Sequence, residues 1–385
     1  MRDFTSSALD NIGFSGIRAI FEKANRLEAA GQKVVHLEMG RLDFDTPTHI
    51  KEAAKKALDE GMVHYAPNLG LPVFRNAVRD FIKKTIGIDY ADTEIIATIG
   101  ATQGAFLTKA AFLEKGDEII IPTPTFVSYL NAPLFFGAVA VPLHLKAEDG
   151  FQVDPDQLEK VITPRTKMLV LISPHNPTGA VLSMEVLERI AALAQKHDFL
   201  VLSDEVYDRM VYDGEKHISI ASLPGMQERT ILLNSFSKTY SMTGWRLGYI
   251  AAPEKLISPM IRTHQYVVGS ANPFIQVAGA AALNEPQTCV DDMVKELSSR
   301  RSYLLKELDP RIVTAKPGGA FYFFLDMRPT GFTAEQFVDR MLDEGVALVP
   351  GSAFGAGGEN FVRLAYAASV EDLAFAAEKI KKVLG

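Results

Sequence analysis

The segment Ser235-Phe236-Ser237-Lys238-Thr239-Tyr240-Ser241-Met242-Thr243-Gly244-Trp245-Arg246 holds the residue types with the most chemistry to offer. It follows the apolar run Thr230–Asn234, a candidate buried strand, so Lys238 stands where a strand exits into a loop. Serine hydroxyls and an arginine fork bind phosphate oxygens, and a lysine amine forms Schiff bases. The segment therefore suits a phosphate-bearing ligand held covalently. Taken alone, it is only a polar loop with a solvated lysine.

Three further strand ends change that balance. Asp204-Glu205-Val206-Tyr207 closes the apolar run Phe199–Ser203. A carboxylate there can bind the protonated ring nitrogen of a pyridine cofactor and keep it an electron sink, with Tyr207 donating to the ring's phenolic oxygen. By itself Asp204 would be a helix N-cap. Ser173-Pro174-His175-Asn176-Pro177-Thr178-Gly179 follows Lys167–Ile172. Its prolines and glycine fix the backbone and aim the Asn176 amide, although the motif alone is a turn. Gly100-Ala101-Thr102-Gln103 follows a fourth strand and opens a helix, where free N–H groups and the positive dipole end make a phosphate seat.

Positioning four strand ends together requires a sheet. Strands are expected at Glu94–Ile99, Glu118–Ile121, Ala138–Pro142, Lys167–Ser173, Phe199–Ser203, Thr230–Asn234 and Leu247–Ala251. Helices such as Gln103–Leu113 and Met184–Lys196 lie between them. Near-continuous apolar strands alternating with helices predict an α/β fold with a mostly parallel seven-stranded sheet, its site beyond the strands' carboxyl ends. Upstream, a helix from Ile17 stops at Gly31, a short strand covers Val34–Leu37, and Thr46-Pro47 opens a helix that ends at Gly61. Charged helices dominate from about residue 290. The expected organisation is a large domain over 46–285, and a smaller α+β domain made of 1–45 and 286–385.

Composition narrows the class. The 385 residues exceed one usual compact domain, and 47% hydrophobic with 23% charged residues is ordinary for a globular protein. A net charge of −7 opposes a general nucleic-acid surface. The one cysteine, Cys289, allows no internal disulfide and no thiolate metal cluster, and suits a reducing cytoplasm. No run of about twenty apolar residues is present to span a membrane, and Met1–Asn11 lack the apolar core of a secretion signal. The eight histidines show no metal-ligand spacing. No G-x-G-x-x-G follows an early strand, which argues against a nicotinamide enzyme.

The Asn-Pro-Thr-Gly turn, the Asp-Glu-x-Tyr segment and Ser-x-Ser-Lys…Gly-Trp-Arg occur here in one characteristic order. In this the chain resembles the fold type I pyridoxal-phosphate enzymes, in the class I/II aminotransferase branch with the aspartate, aromatic and alanine aminotransferases. The likeness runs from about Ser15 to Tyr366. It implies pyridoxal 5'-phosphate as cofactor, Lys238 as the imine lysine and proton-shifting base, and Asp204 as partner of the pyridine nitrogen. Tyr207 and Asn176 would meet the phenolic oxygen, while Ser235, Ser237, Arg246 and the Gly100-Ala101-Thr102 turn would hold the phosphate. The resemblance also implies a homodimer in which Tyr65, in His64-Tyr65-Ala66-Pro67, reaches the phosphate in the neighbouring subunit. Arg363 would clamp the substrate α-carboxylate, and the Gly40 backbone would contact substrate.

Certain positions depart from the family pattern. Phe126 takes the place of a ring-stacking tryptophan, Arg41 follows Gly40 where relatives carry Glu-Pro, and Thr102 stands where some aspartate-specific relatives place a lysine. Arg41 is expected either to read a substrate carboxylate or to form a salt bridge within the small domain. Phe14, Ile17, Arg41, Thr102, Phe126 and Phe321 are candidates for the side-chain pocket, with Tyr322 next to the last. The implied reaction is transamination between an L-amino acid and a 2-oxo acid, with 2-oxoglutarate and glutamate expected as one pair. A β-lyase acting on cysteine conjugates would use the same residues. A cofactor-sensing regulator with a DNA-binding domain is disfavoured, because Ser15 already belongs to the first family helix.

Overall fold

The computed structural model describes residues 4–10 and 12–385, so the reading of Met1–Asn11 falls partly outside the described residues. The strands in chain order are β1 (Val35–His36), β2 (Ile95–Thr98), β3 (Glu118–Thr123), β4 (Val139–His144), β5 (Thr166–Ile172) and β6 (Leu200–Asp204). There follow β7 (Thr230–Ser235), β8 (Gly248–Ala251), β9 (Tyr322–Asp326), β10 (Val346–Ala347), β11 (Val349–Pro350) and β12 (Phe361–Ala365).

The seven strands expected from the apolar runs form one sheet in the order β2-β8-β7-β6-β5-β3-β4. Only β8 runs against its neighbours, pairing antiparallel with β2 and β7, so the other six strands share a direction. Ile172 pairs with Asp204 and Asp204 with Leu233, which brings the carboxyl ends of β5, β6 and β7 into line. β4 runs on through Pro142 to His144 because it is an edge strand, where a missing N–H costs no ladder bond.

Alternate residues of the sheet feed two cores, as a pleat buried on both faces requires. Ile120, Leu169, Leu171 and Val201 pack with Leu187 and Ile190 of the helix Met184–His197. Ile119, Ile121, Val170, Leu202 and Leu233 pack on the other face.

The helices before and within the first crossover are α1 (Gly16–Ala29), α2 (Thr48–Asp59), α3 (Pro72–Ile86) and α4 (Gly100–Phe112). α4 begins earlier than its apolar pattern indicates. Gly100, at a φ of +76°, turns the chain from β2 almost directly into helix, which a side chain would oppose.

A third core surrounds the antiparallel sheet β11-β12-β9, with α1 and the C-terminal helices Ala334–Asp343 and Val370–Leu384. β1 pairs in parallel with β10, which ties the N-terminal strand to this part of the molecule. The helix Thr288–Glu307 belongs to both regions. Val290 and Met293 pack with the cluster that includes β8, whereas Leu297 and Leu304 pack around the C-terminal sheet. No described helix is long and apolar enough to cross a membrane.

Candidate active site

Lys238 lies in the short helix Phe236–Thr239 that continues β7. The Ser235 hydroxyl accepts the Ser237 N–H at 3.1 Å and caps this turn, while buried Phe236 anchors it beneath. The lysine amine donates to the Gly40 carbonyl and makes no ion pair with the described residues. Burial, reinforced by the cationic Arg363 and Arg246, pulls its pKa down to about 8. A usable fraction of the amine is therefore unprotonated near neutrality, and only that form attacks a carbonyl or takes up a proton.

Asp204, one strand over, is also buried. Its Oδ2 accepts the Tyr129 hydroxyl at 2.5 Å and its Oδ1 accepts the Val206 N–H at 3.2 Å, so the carboxyl plane is fixed. Burial pushes its pKa up to about 6, with the Tyr129 bond and the Lys109 charge pulling the other way. It remains largely a carboxylate near pH 7.

Beyond β5, the Asn176 Oδ1 accepts from Arg363 Nη1 at 3.1 Å. Arg363 Nη2 donates to the Glu38 carbonyl at 2.5 Å. The guanidinium lies between the faces of Tyr322 and Phe354, at 4.6 and 4.7 Å from the ring centroids. It is buried, and among the described residues it forms no ion pair with a carboxylate and its Nε has no partner. Ring faces stabilise a cation only in part, so such a group favours an incoming anion. The Tyr207 and Tyr322 hydroxyls lie 2.8 Å apart.

At the opposite end, the first turn of α4 meets the loop after Lys238. A Cβ on Gly100 would fall 2.6 Å from Arg246 Nη2. One on Gly248 would fall 2.8 Å from the Asn234 carbonyl oxygen and 3.0 Å from the Ala101 nitrogen. Both close approaches require glycine, and they bring the Ala101 amide, Ser235, Ser237 and Arg246 to one end of the cavity. Arg246 adopts a left-handed φ of +58°, a conformation that costs free energy and gathers at functional sites. Ser235 and Ser237 hydroxyls are 2.9 Å apart. Free amides, a helix N-terminus, hydroxyls and a guanidinium together make an anion seat.

These groups surround a cavity of about 320 Å³, the volume of a small-molecule site. Gly40, Ala101, Thr102, Phe126, Asn176, Asp204, Tyr207, Ser235, Ser237, Lys238, Arg246 and Arg363 all line it. Gly100 contributes by leaving room for Arg246, while Tyr65 is 101% exposed and lies outside this chain's cavity. Among the described residues, Arg18, Lys238, Arg246 and Arg363 line the space against one carboxylate, Asp204. That donor set fits pyridoxal phosphate: an anion seat, an amine, a carboxylate and a second anion clamp.

Some expectations need correction. Of the proposed side-chain pocket, Ile17, Thr102, Phe126 and Tyr322 line the cavity, but Phe14, Arg41 and Phe321 do not. Phe14 is 106% exposed, and Phe321 is buried in the C-terminal core. Arg41 neither faces the cavity nor forms an ion pair with the described residues. It borders a separate cleft beside α1 and β1, and Asp43 instead pairs with Arg300 at 2.8 Å. Sequence reasoning missed Arg18 on the cavity wall, the Glu38 carbonyl and Tyr129. Tyr129 follows Phe126 at helical spacing, the one signal that could have found it.

The model of the family "aminotransferase class I and II" matches residues 32–380. An aspartate aminotransferase of Pyrococcus abyssi is 46% identical, with 98% of each chain covered. Aromatic-amino-acid aminotransferase 2 of Thermococcus litoralis is 45% identical, again with 98% of each covered. A double mutant of Thermus thermophilus aspartate aminotransferase superimposes over 100% of both chains with a TM-score of 0.93 at 37% identity. The chain belongs to the class I and II aminotransferase family and is a pyridoxal-phosphate-dependent transaminase acting between amino acids and 2-oxo acids.

Proposed function

We propose that Lys238 carries the cofactor and that the chain exchanges amino groups between an L-amino acid and 2-oxoglutarate. The observation that supports this reading is the charge balance of the cavity, where four cationic side chains face Asp204 alone among the described residues. A phosphate at one end and a substrate carboxylate at the other would neutralise them.

When bound, pyridoxal phosphate supplies an electron sink for the pair left on the substrate α-carbon as its proton departs. Asp204 holds a proton on the ring nitrogen by accepting from it. Ser235, Ser237, Arg246 and the amides of Ala101 and Thr102 grip the phosphate. Tyr207 and Asn176 would hydrogen-bond the phenolic oxygen, and Phe126 would offer the ring apolar contact without the indole N–H of a tryptophan. Arg363 takes the α-carboxylate through its unpaired Nε edge, beside the Gly40 backbone. Lys238, its buried amine drawn down to about 8, would take up the α-proton and pass it to the carbon on the far side of the nitrogen being transferred. Arg18, exposed at the cavity wall and outside any ion pair with the described residues, receives the distal carboxylate of 2-oxoglutarate. Thr102 offers no charge for that purpose.

The active unit in this reading is a homodimer. Tyr65 does not enter its own cavity, and Val63, Tyr65 and Tyr266 are 57%, 101% and 86% exposed, apolar surface of the kind that a second subunit covers. Residues 46–285 act as the large unit, and 1–45 with 286–385 as the small one, in keeping with the β1–β10 pairing. The single cysteine accords with a cytoplasmic setting.

The direct test is the visible spectrum of the purified protein, followed by borohydride reduction and peptide mapping. The expected result is a visible band that an amino acid bleaches and 2-oxoglutarate restores, and a cofactor that reduction fixes to Lys238 with loss of that band. A folded protein that gives no band with added pyridoxal phosphate, or a label on another lysine, would overturn the assignment.

A further inference from the structure

Lys109 is the one charged residue of α4, and the proposed chemistry leaves it unused. It is 1% exposed, does not line the cavity and forms no ion pair with the described residues. Its ammonium donates to the Ala105 carbonyl at 3.2 Å and otherwise stands 4.4 Å from the centroid of the Tyr129 ring. The hydroxyl of that same ring donates to Asp204 Oδ2 at 2.5 Å. A buried ammonium without a carboxylate is costly, so its arrangement against this ring calls for a physical account.

We propose that Lys109 is a positioning residue for the cofactor: through the face of Tyr129 it keeps Asp204 a carboxylate, poised for the ring nitrogen. A cation over an aromatic face draws electron density from the ring, which makes the phenol O–H a stronger donor. A stronger donor on Oδ2 and a positive charge behind it both favour the ionised carboxyl over the protonated one. This opposes burial, which otherwise pushes Asp204 upward, to about 6. Burial also draws Lys109 down, to about 7, and the Asp204 charge resists that, so each group sustains the charge of the other. The other groups acting on Asp204 include the Val206 amide, Glu205, and the Lys238 and Tyr207 side chains that share its cavity; Glu205 is itself engaged by Ser203, His217 and Ser219 at 2.7–2.8 Å. The inference rests on the assignment of Asp204 to the ring nitrogen.

The test uses the holoenzyme and measures the pH at which half the cofactor is retained after dialysis. In Lys109→Met that midpoint is expected to rise by about one pH unit, because a protonated Asp204 no longer pairs with the ring nitrogen. Tyr129→Phe should raise it similarly, and the double variant should show less than the summed shift, since both act along one path. With a 1-deaza analogue, in which CH replaces the ring nitrogen, Lys109→Met should leave the midpoint where the parent has it. A Lys109→Met midpoint equal to the parent's with pyridoxal phosphate itself overturns the proposal. So does a shift of the same size with the deaza analogue, which marks a merely structural effect. Should Lys109→Met fail to fold, Lys109→Gln keeps a donor for the Ala105 carbonyl without the charge and carries the same measurement. A parent that retains cofactor and analogue with identical pH dependence overturns the Asp204 assignment instead.

Discussion

At one end of the cavity, Ala101, Ser235, Ser237 and Arg246 are placed by backbone: a helix start, a strand end and an antiparallel return in which glycine alone fits. At the other end, Arg363 and Glu38 meet across 325 residues of sequence, and Arg363 is held by two ring faces and two oxygen acceptors. The first wall is a property of one sheet. The second exists only when the N-terminal segment, β9 and β12 have packed together. A wall fixed by hydrogen-bonded backbone suits an invariant ligand, and a wall made of side chains on separate elements suits substrates that vary. Arg18, on the first turn of α1, belongs to the second kind.

Three variants would break or sharpen this contrast. Asp204→Ala, at the sheet wall, should lower turnover by about 10³-fold while leaving part of the cofactor bound through the phosphate seat. Steady-state rates and the visible band give both quantities, and turnover near that of the parent would remove Asp204 from the mechanism. Arg363→Lys should lower kcat/KM by about 10²-fold for every amino acid tested, because an ammonium cannot replace a planar fork. Cofactor retention should stay unchanged, so a variant that also loses cofactor would show the two walls to be coupled. The smallest effect is expected from Arg18→Met, an exposed site where a charge contact is weak. KM for 2-oxoglutarate should rise about fivefold, with KM for pyruvate or phenylpyruvate within about twofold. Equal changes for all three acceptors would place Arg18 outside side-chain recognition.

The same contrast explains what the sequence disclosed. All seven strands of the main sheet were legible because each is an apolar run bounded by a turn, and the motifs that follow them carry their chemistry beside a strand end. That adjacency sufficed to place Asp204, Asn176 and Lys238 beside one cavity, although each motif alone reads as an N-cap, a turn or a polar loop. The motif Gly100–Gln103 marked the opening of α4, whereas the apolar periodicity began only at Gln103, because Gly100 enters the helix through a positive φ that periodicity does not encode. Neither expectation for Arg41, a substrate carboxylate or a salt bridge within the small domain, is met among the described residues, because it borders the cleft beside α1 rather than the cavity. Lys109 did leave a signal, a lone charge within an otherwise uncharged helix, but its partner ring lies 20 residues downstream on another element. Phe321 and Tyr322 are neighbours on the chain with rings 4.6 Å apart, and both pack against Tyr207, yet only Tyr322 borders the cavity; Phe321 stands behind it, a difference of depth that sequence adjacency does not encode.

The bond between Arg363 and the Glu38 carbonyl also bears on the order in which a ribosome delivers the parts. All of the sheet wall, from Gly100 to Gly248, has been synthesised while over a hundred residues remain to be added. Glu38 emerges 325 residues ahead of the arginine that it meets. During translation, the anion seat on the sheet can thus precede the arginine wall opposite it, whose contact with Glu38 waits until Arg363 has been added.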